Sequence, residues 1–190
     1  AKKYGMIAIA LTDHGNMMAA FHFVKAAIKE NVMPIVGCEF YVCPDRKDKS
    51  QQINGDQIVL LAKNKNGYHN LAKLASMAFV EGKYYVPRLD KEILVQYKED
   101  LIATTSGLWG EVPNLILNVG ETQAETAFMW WKEQFGEDFY IELNRHGVEE
   151  ENVVNEVLLK FAKKHNVKYF ASNNTYYTEK KDAEAHDIIL

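Results

Sequence analysis

Residues 6–44, MIAIALTDHGNMMAAFHFVKAAIKENVMPIVGCEFYVCP, carry the pattern that decides the fold class. A short apolar run, MIAIAL (6–11), ends in a polar turn. The segment 16–31 follows, with Met17, Ala20, Phe21, Val24, Ala27 and Ile28 at helical spacing and Asn16 placed to cap it. A second apolar run, 33–44, enters through Pro34. Strand, helix and strand in that order make a unit whose strands pair in parallel across a helical crossover.

The alternation continues outward. QIVLLAK (57–63), DLIATTS (100–106), DFYIELN (138–144) and VKYFAS (167–172) read as strands. Segments 66–82, 89–97, 112–118, 121–136, 148–166 and 180–190 read as helices. The polar run 45–56, DRKDKSQQINGD, reads as a solvated surface loop. The expectation is an α/β fold on a parallel sheet, open or closed into a barrel, with function at the carboxyl ends of the strands.

The 190 residues, 47% hydrophobic and 25% charged, suffice for one domain with its own core. A net charge of −4 excludes a broad basic footprint for the phosphate backbone of nucleic acid. Lys47, Lys49, Lys63 and Lys65 are the candidates for a local basic strip. Cys38 and Cys43 sit at opposite ends of one strand, poorly disposed to bridge, and imply a reducing, cytoplasmic setting. No run is apolar enough to span a membrane, and no signal peptide is visible. The sequence has no Met start and stops inside a helical pattern, so it reads as a piece of a longer protein.

The strand ends collect side chains with chemistry. Asp13 and His14 follow the first strand, and Glu39 lies inside the second. Asp56 and Gln57 precede the third. Thr104, Thr105 and Ser106 close the next. Glu142, Asn144, Arg145 and His146 mark the fifth, and the sixth ends in SNNTYY (172–177). Carboxylates and imidazoles are metal ligands, whereas amides, hydroxyls and phenols are poor ones for zinc or manganese. Plainer readings stand beside these. Asp-His-Gly after a strand can be only a turn. Glu39 among apolar neighbours needs a partner, and His14 is a good candidate. His146 suits a turn or a helix start, and Glu149, Glu150 and Glu151 suit a helix N-terminus. Trp130, Trp131 and Phe135 read as core and surface of one helix, and His22 and His69 as helix surface.

LTDHGN, IVGCEFYV, LLAKNKNGYHNLAKL, YIELNRHG and ASNNTYY followed by DAEAHDIIL occur in one order. Together they resemble the polymerase-and-histidinol-phosphatase (PHP) domain at the start of bacterial C-family replicative polymerases, the DNA polymerase III alpha subunits. The resemblance covers nearly all 190 residues. It implies one PHP domain over 1–190, continuing into the polymerase. The fold would be a distorted (β/α)7 barrel, here a fragment lacking the first strand and its His-x-His motif. The family's ligands map to His14 and Glu39, which are retained. They also map to Gln57, Gly107, Asn174 and Tyr176, where the ligand is replaced. The implied role is in DNA replication, as a degenerate, non-catalytic scaffold bracing the palm and thumb and helping to dock the proofreading exonuclease subunit. DNA would be met through the whole enzyme, with magnesium in the downstream polymerase site and no cofactor in this fragment. Two alternatives remain. One is an active phosphoesterase or 3′–5′ proofreading exonuclease using zinc or manganese. The other is an unrelated barrel enzyme with Glu142 and His146 as an acid–base pair.

Overall fold

The computed structural model describes residues 1–189. Seven strands form one curled sheet: β1 (Ala8–Leu11), β2 (Met33–Val42), β3 (Asp56–Ala62), β4 (Arg88–Leu89), β5 (Leu101–Thr104), β6 (Phe139–Asn144) and β7 (Tyr169–Ser172). Their order is β1-β2-β3-β5-β6-β7, with β4 paired beside β1 on the same edge of β2. Helices α1 (Ala20–Lys29), α2 (Lys65–Val80), α3 (Lys91–Gln96), α4 (Glu111–Asn118), α5 (Glu121–Phe135), α6 (Glu149–His165) and α7 (Ala183–Ile189) connect or follow them. The last residue of the expected C-terminal helix, Leu190, lies outside the described residues.

The expectation of a wholly parallel sheet fails at β3, which runs antiparallel to both β2 and β5. The reason lies in the connection. Parallel neighbours need a crossover, usually helical, and residues 43–55 form none, so the chain returns antiparallel beside β2. The β1–β2, β5–β6 and β6–β7 pairs are parallel as expected. The mixed α/β architecture with a half-barrel sheet is that of a PHP-type distorted barrel.

Register sorts the side chains into two faces, because cross-strand partners share a face and neighbours along a strand alternate. Cys38, Phe40, Ile58, Leu60, Leu101, Ala103, Phe139 and Ile141 lie on the face covered by helices, all at most 3% exposed. There they meet Leu71 and Leu74 of α2, Phe128 and Trp131 of α5, and Leu158 and Phe161 of α6. Trp131 and Phe135 are buried and Trp130 half-buried, while His22 and His69 are exposed, as their spacing implies. The opposite, concave face carries Glu39, Tyr41, Gln57, Leu61, Ile102, Thr104, Tyr140, Glu142, Asn144 and Ser172.

Two local readings change. Helix α1 starts only at Ala20, with no side-chain cap. Asn16 instead closes a turn, its Oδ1 accepting from the Met18 N–H at 3.1 Å. The loop after β2 is not simply solvated. Arg46 is 5% exposed and donates to both oxygens of Asp90 and to Glu81. Arg88, 1% exposed, donates to the carbonyls of Arg46, Asp48 and Ile53. Asp90 is held below the usual carboxylate range. Burial opposes this, but the N–H groups of Ile93 and Arg46 and the Arg46 guanidinium outweigh it. The four lysines do not form one strip. Lys47 and Lys49 belong to the loop before β3, whereas Lys63 and Lys65 follow it. The strand between spans about 20 Å at ~3.4 Å per residue. Lys63 is also paired with Asp138 at 2.6 Å.

Candidate functional site

Because β3 is reversed, its first residues join the carboxyl ends of β1, β2, β5, β6 and β7 on one rim of the half-barrel. The turn after β1 is clamped there by backbone. Glu39 N–H donates to the Asp13 carbonyl at 3.0 Å, and Gly15 N–H donates to the Glu39 carbonyl at 2.7 Å. Gly15 has φ +64°, and a Cβ there would meet Pro87 at 3.3 Å, so glycine is required by conformation and by space. The clamp sets His14 Nδ1 2.5 Å from Glu39 Oε1. That ring nitrogen is the polar group beside Oε1, which is itself buried. His14 is about half exposed and Glu39 buried. Burial pushes the Glu39 carboxyl up. His14 opposes this by charge and hydrogen bonding, and Glu142 reinforces it by charge.

The second part of the rim is stitched by hydroxyls. Thr104 Oγ1 donates to Glu142 Oε2 at 2.8 Å, and Thr105 Oγ1 accepts from the Glu142 N–H at 3.0 Å. Ser106, at φ +59°, accepts from the Val59 N–H. Asn144 Nδ2 approaches Glu142 Oε1 at 3.3 Å, while its own Oδ1 is buried without a partner. Burial raises the Glu142 carboxyl, and the Thr104 and Ser172 side chains and the nearby His146 only partly oppose it.

His146 does not face Glu142 as a free base. Its Nδ1 lies 2.6 Å from Glu151 Oε1, and its Nε2 accepts from the Asn174 N–H at 3.1 Å. Glu151 also accepts from the His146 N–H. It is 4% exposed, not a solvated helix-start acid like Glu149 and Glu150. Burial would raise its carboxyl, but the side-chain and backbone bonds from His146 hold it below the usual range. Both ring nitrogens of His146 are thus engaged. Glu39 and Glu142 also sense each other's charge, so the Glu142 end and the His14 end are one neighbourhood. Both facts remove the ground for a separate Glu142–His146 acid–base pair.

The remaining candidates are spread around the rim. Gln57 bridges to Gly110, its N–H on the Trp109 carbonyl. Gly107 lies beside Asn144, where an added Cβ would stand 3.5 Å from Nδ2. Asn174 is exposed and engages through its backbone. Tyr176 brings its hydroxyl to 3.5 Å from His14 Nε2. A catalytic zinc needs about three converging protein ligands. Among the described residues no three of His, Cys, Asp and Glu converge in that way. His14 leans on Glu39, His146 is spent on Glu151, and Glu142 is spent on Thr104 and Asn144. The donor set therefore does not fit a metal cage.

Sequence reasoning named Thr104 only as a strand-end hydroxyl and Glu151 only as a helix-start acid, and it missed the network in which Arg88 bonds the Arg46 carbonyl and Arg46 bonds Asp90. Only the five-residue step from His146 to Glu151 carried a local signal. A cavity of about 460 Å³ lies at the start of β3, lined among others by Cys43, Asp56, Gln57, Lys91, Glu111 and Trp131. Its polar groups satisfy one another: Lys91–Glu111 at 2.8 Å, Trp131 Nε1–Glu111 at 2.7 Å and Asn114–Asp56 at 2.8 Å. Among the described residues no helix is long and apolar enough to cross a membrane.

The chain is 43% identical to the DNA polymerase III subunit alpha of Borreliella burgdorferi, over all of this chain and 17% of that protein. It is 41% identical to that of Treponema pallidum, over all of this chain and 17% of the relative. It is 37% identical to that of Deinococcus radiodurans, over 96% of this chain and 14% of the relative. The chain thus spans about a sixth of the length of the relatives it matches. The model of the PHP domain family matches residues 1–146, and the chain belongs to that family.

Proposed function

We propose that residues 1–190 are the PHP domain of a replicative DNA polymerase III alpha subunit, and that this domain is a non-catalytic scaffold. The observation that carries the proposal is the state of the rim. His14 and Glu39 are retained, but each imidazole and carboxylate is tied to a neighbour instead of to a shared centre. At the other family ligand positions stand Gln57, Gly107, Asn174 and Tyr176, none of them a strong ligand for zinc or manganese. In this reading the DNA-directed DNA polymerase activity and its magnesium belong to the rest of the parent chain, acting in the cytoplasm. The palm and thumb of that chain and the proofreading exonuclease subunit are the partners, and DNA is met through the whole enzyme.

Elemental analysis and a nuclease assay test the proposal together. The chain is expected to hold fewer than two tightly bound zinc or manganese ions and to release no nucleotides from 3′-labelled single-stranded DNA when either metal is added. Metal-dependent release that His14→Ala abolishes would refute the scaffold and establish the alternative, a metal-dependent phosphoesterase or 3′–5′ exonuclease. The retained His14–Glu39 contact is the one observation in that alternative's favour.

A further inference from the structure

The cavity at the start of β3 has a face of its own. Asp56 pairs with Val42, and Gln57 with Tyr41. Alternation along the strand sends the Asp56 side chain to the helix-covered face and the Gln57 side chain to the concave one. The volume, about 460 Å³, is that of a small-ligand pocket. Val42, Cys43, Ile53 and Trp131 give it apolar walls, and Ile53, 43% exposed, places its mouth at the surface.

The charges on these walls do not balance. Lys91 is committed: its Nζ lies 2.8 Å from Glu111 Oε1, and 4.4 Å and 5.4 Å from the ring centroids of Trp130 and Trp131. The other Glu111 oxygen accepts from Trp131 Nε1 at 2.7 Å. Asn114 Nδ2 serves Asp56 Oδ1 at 2.8 Å. Asp56 Oδ2 has no donor among the described residues, and it is not sealed from solvent as Glu39 Oε1 and Asn144 Oδ1 are. Burial raises the Asp56 carboxyl; Asn114 and Lys91 oppose this, and Glu111 adds to it by charge. Two carboxylates thus share one ammonium.

We infer that this cavity binds a primary ammonium on an unbranched apolar stem, the chemistry of a lysine side chain or a simple alkylamine. The stem lies along Val42, Cys43 and Ile53, and Asp56 Oδ2 takes the ammonium. A guanidinium brings five donors to a wall with one open acceptor and leaves most of them unpaired. An ammonium brings three on a compact charge that keeps water at the mouth. A neutral group of the same shape leaves the carboxylate without its counter-charge. The inference does not rest on the reading of the rim, because the Asp56 side chain points to the other face.

The test is amide NMR of the 190-residue chain during titration with n-butylamine at neutral pH, with n-butanol and n-butylguanidine as parallel arms. Saturable shifts of the Trp131 indole N–H and of the Gly55, Asp56 and Glu111 amides are expected with butylamine. Binding should be about tenfold weaker for butanol and in Asp56→Asn, the loss of one charge-assisted hydrogen bond, and weaker for butylguanidine. N-acetyl-lysine methylamide separates the two sources. Binding as tight as that of butylamine supports the inference with a lysine of another polypeptide segment as the occupant; butylamine binding without it supports the inference with a free amine. Equal affinity for butylamine and butanol, butylguanidine binding as tight as butylamine, or no saturable shifts would overturn the inference. So would butylamine binding unchanged in folded Asp56→Asn. If that variant fails to fold by circular dichroism, the butylamine–butanol contrast on the unaltered chain decides. None of these outcomes bears on the scaffold reading, which metal analysis and the nuclease assay test.

Discussion

Arg88→Met tests what holds the wall of the rim formed by the loop after β2. Arg88 donates Nε to the Gly82 carbonyl at 3.0 Å and Nη1 to Ile53 at 2.8 Å. Its Nη2 donates to Asp48 at 2.8 Å and to Arg46 at 3.3 Å. Methionine keeps an unbranched apolar stem and removes all four bonds. The Ile53 and Asp48 carbonyls can be rewetted if the loop lifts. The Gly82 and Arg46 carbonyls are bonded in buried surroundings and would be left without a donor. Two buried acceptors at about 1–3 kcal/mol each give roughly 2–6 kcal/mol. Relief of the desolvation of a guanidinium bonded only to carbonyls subtracts from this. The expected net loss is about 2–4 kcal/mol, a large share of the ~5–15 kcal/mol of a typical domain. Urea denaturation followed by tryptophan fluorescence measures it. Trypsin should cut faster after Lys47 and Lys49, since the loop is then held through Arg46, on Asp90 and Glu81, without the Arg88 bonds. A loss under about 1 kcal/mol with unchanged cleavage would show that the arginine's carbonyl bonds do not hold the loop, and the reasoning would fail.

Three further outcomes follow from the rim. His14→Ala is expected to cost about 1 kcal/mol by leaving Glu39 alone, discounted for the half-exposed imidazole, and adding Glu39→Gln should return part of it; strict additivity in the denaturation cycle would show that the two do not interact. Glu142 has a raised carboxyl, so the native state holds its proton at pH values where the unfolded chain has released it, and stability is lost as pH rises above the unfolded carboxylate range. Glu142→Gln should therefore gain on the unaltered chain as pH rises above the unfolded carboxylate range in chemical denaturation, and a difference that shrinks with rising pH would contradict this. Glu151 has the opposite sign, so the deficit of Glu151→Gln should be full at neutral pH and vanish as pH falls below the unfolded range. The Asn174 amide should exchange faster in that variant, and unchanged exchange would mean that His146 is positioned by something else.

The sequence was most legible where partners are local. Periodicity placed α2, α5 and α6 and the strands β2, β5 and β6 to within a few residues, because an amphipathic stripe needs only the core beside it. The two-residue β4 was invisible, since two residues carry no period. The direction of β3 was missed for a different reason: direction is a property of the connection, and a polar loop such as 43–55 reads the same whether it returns antiparallel or crosses over. The consequence for the site is direct. A parallel β3 would have put Lys63 on the rim and Gln57 at the far end of the half-barrel; the reversed strand brings Gln57 to the rim beside Tyr41 and Gly110. Sequence separation sorts the polar groups in the same way. His146 and Glu151 are five residues apart on one helix start, so the pair could have been found by spacing. Glu39 and Asp13, or Glu142 and Thr104, meet from 26 and 38 positions apart, and only sheet register brings them together. A buried carboxylate announces in sequence that it needs a donor, but the donor's identity is set by topology. Glu39 Oε1 finds the His14 ring nitrogen 2.5 Å away, from 25 positions upstream, whereas topology leaves Asn144 Oδ1 buried without a donor.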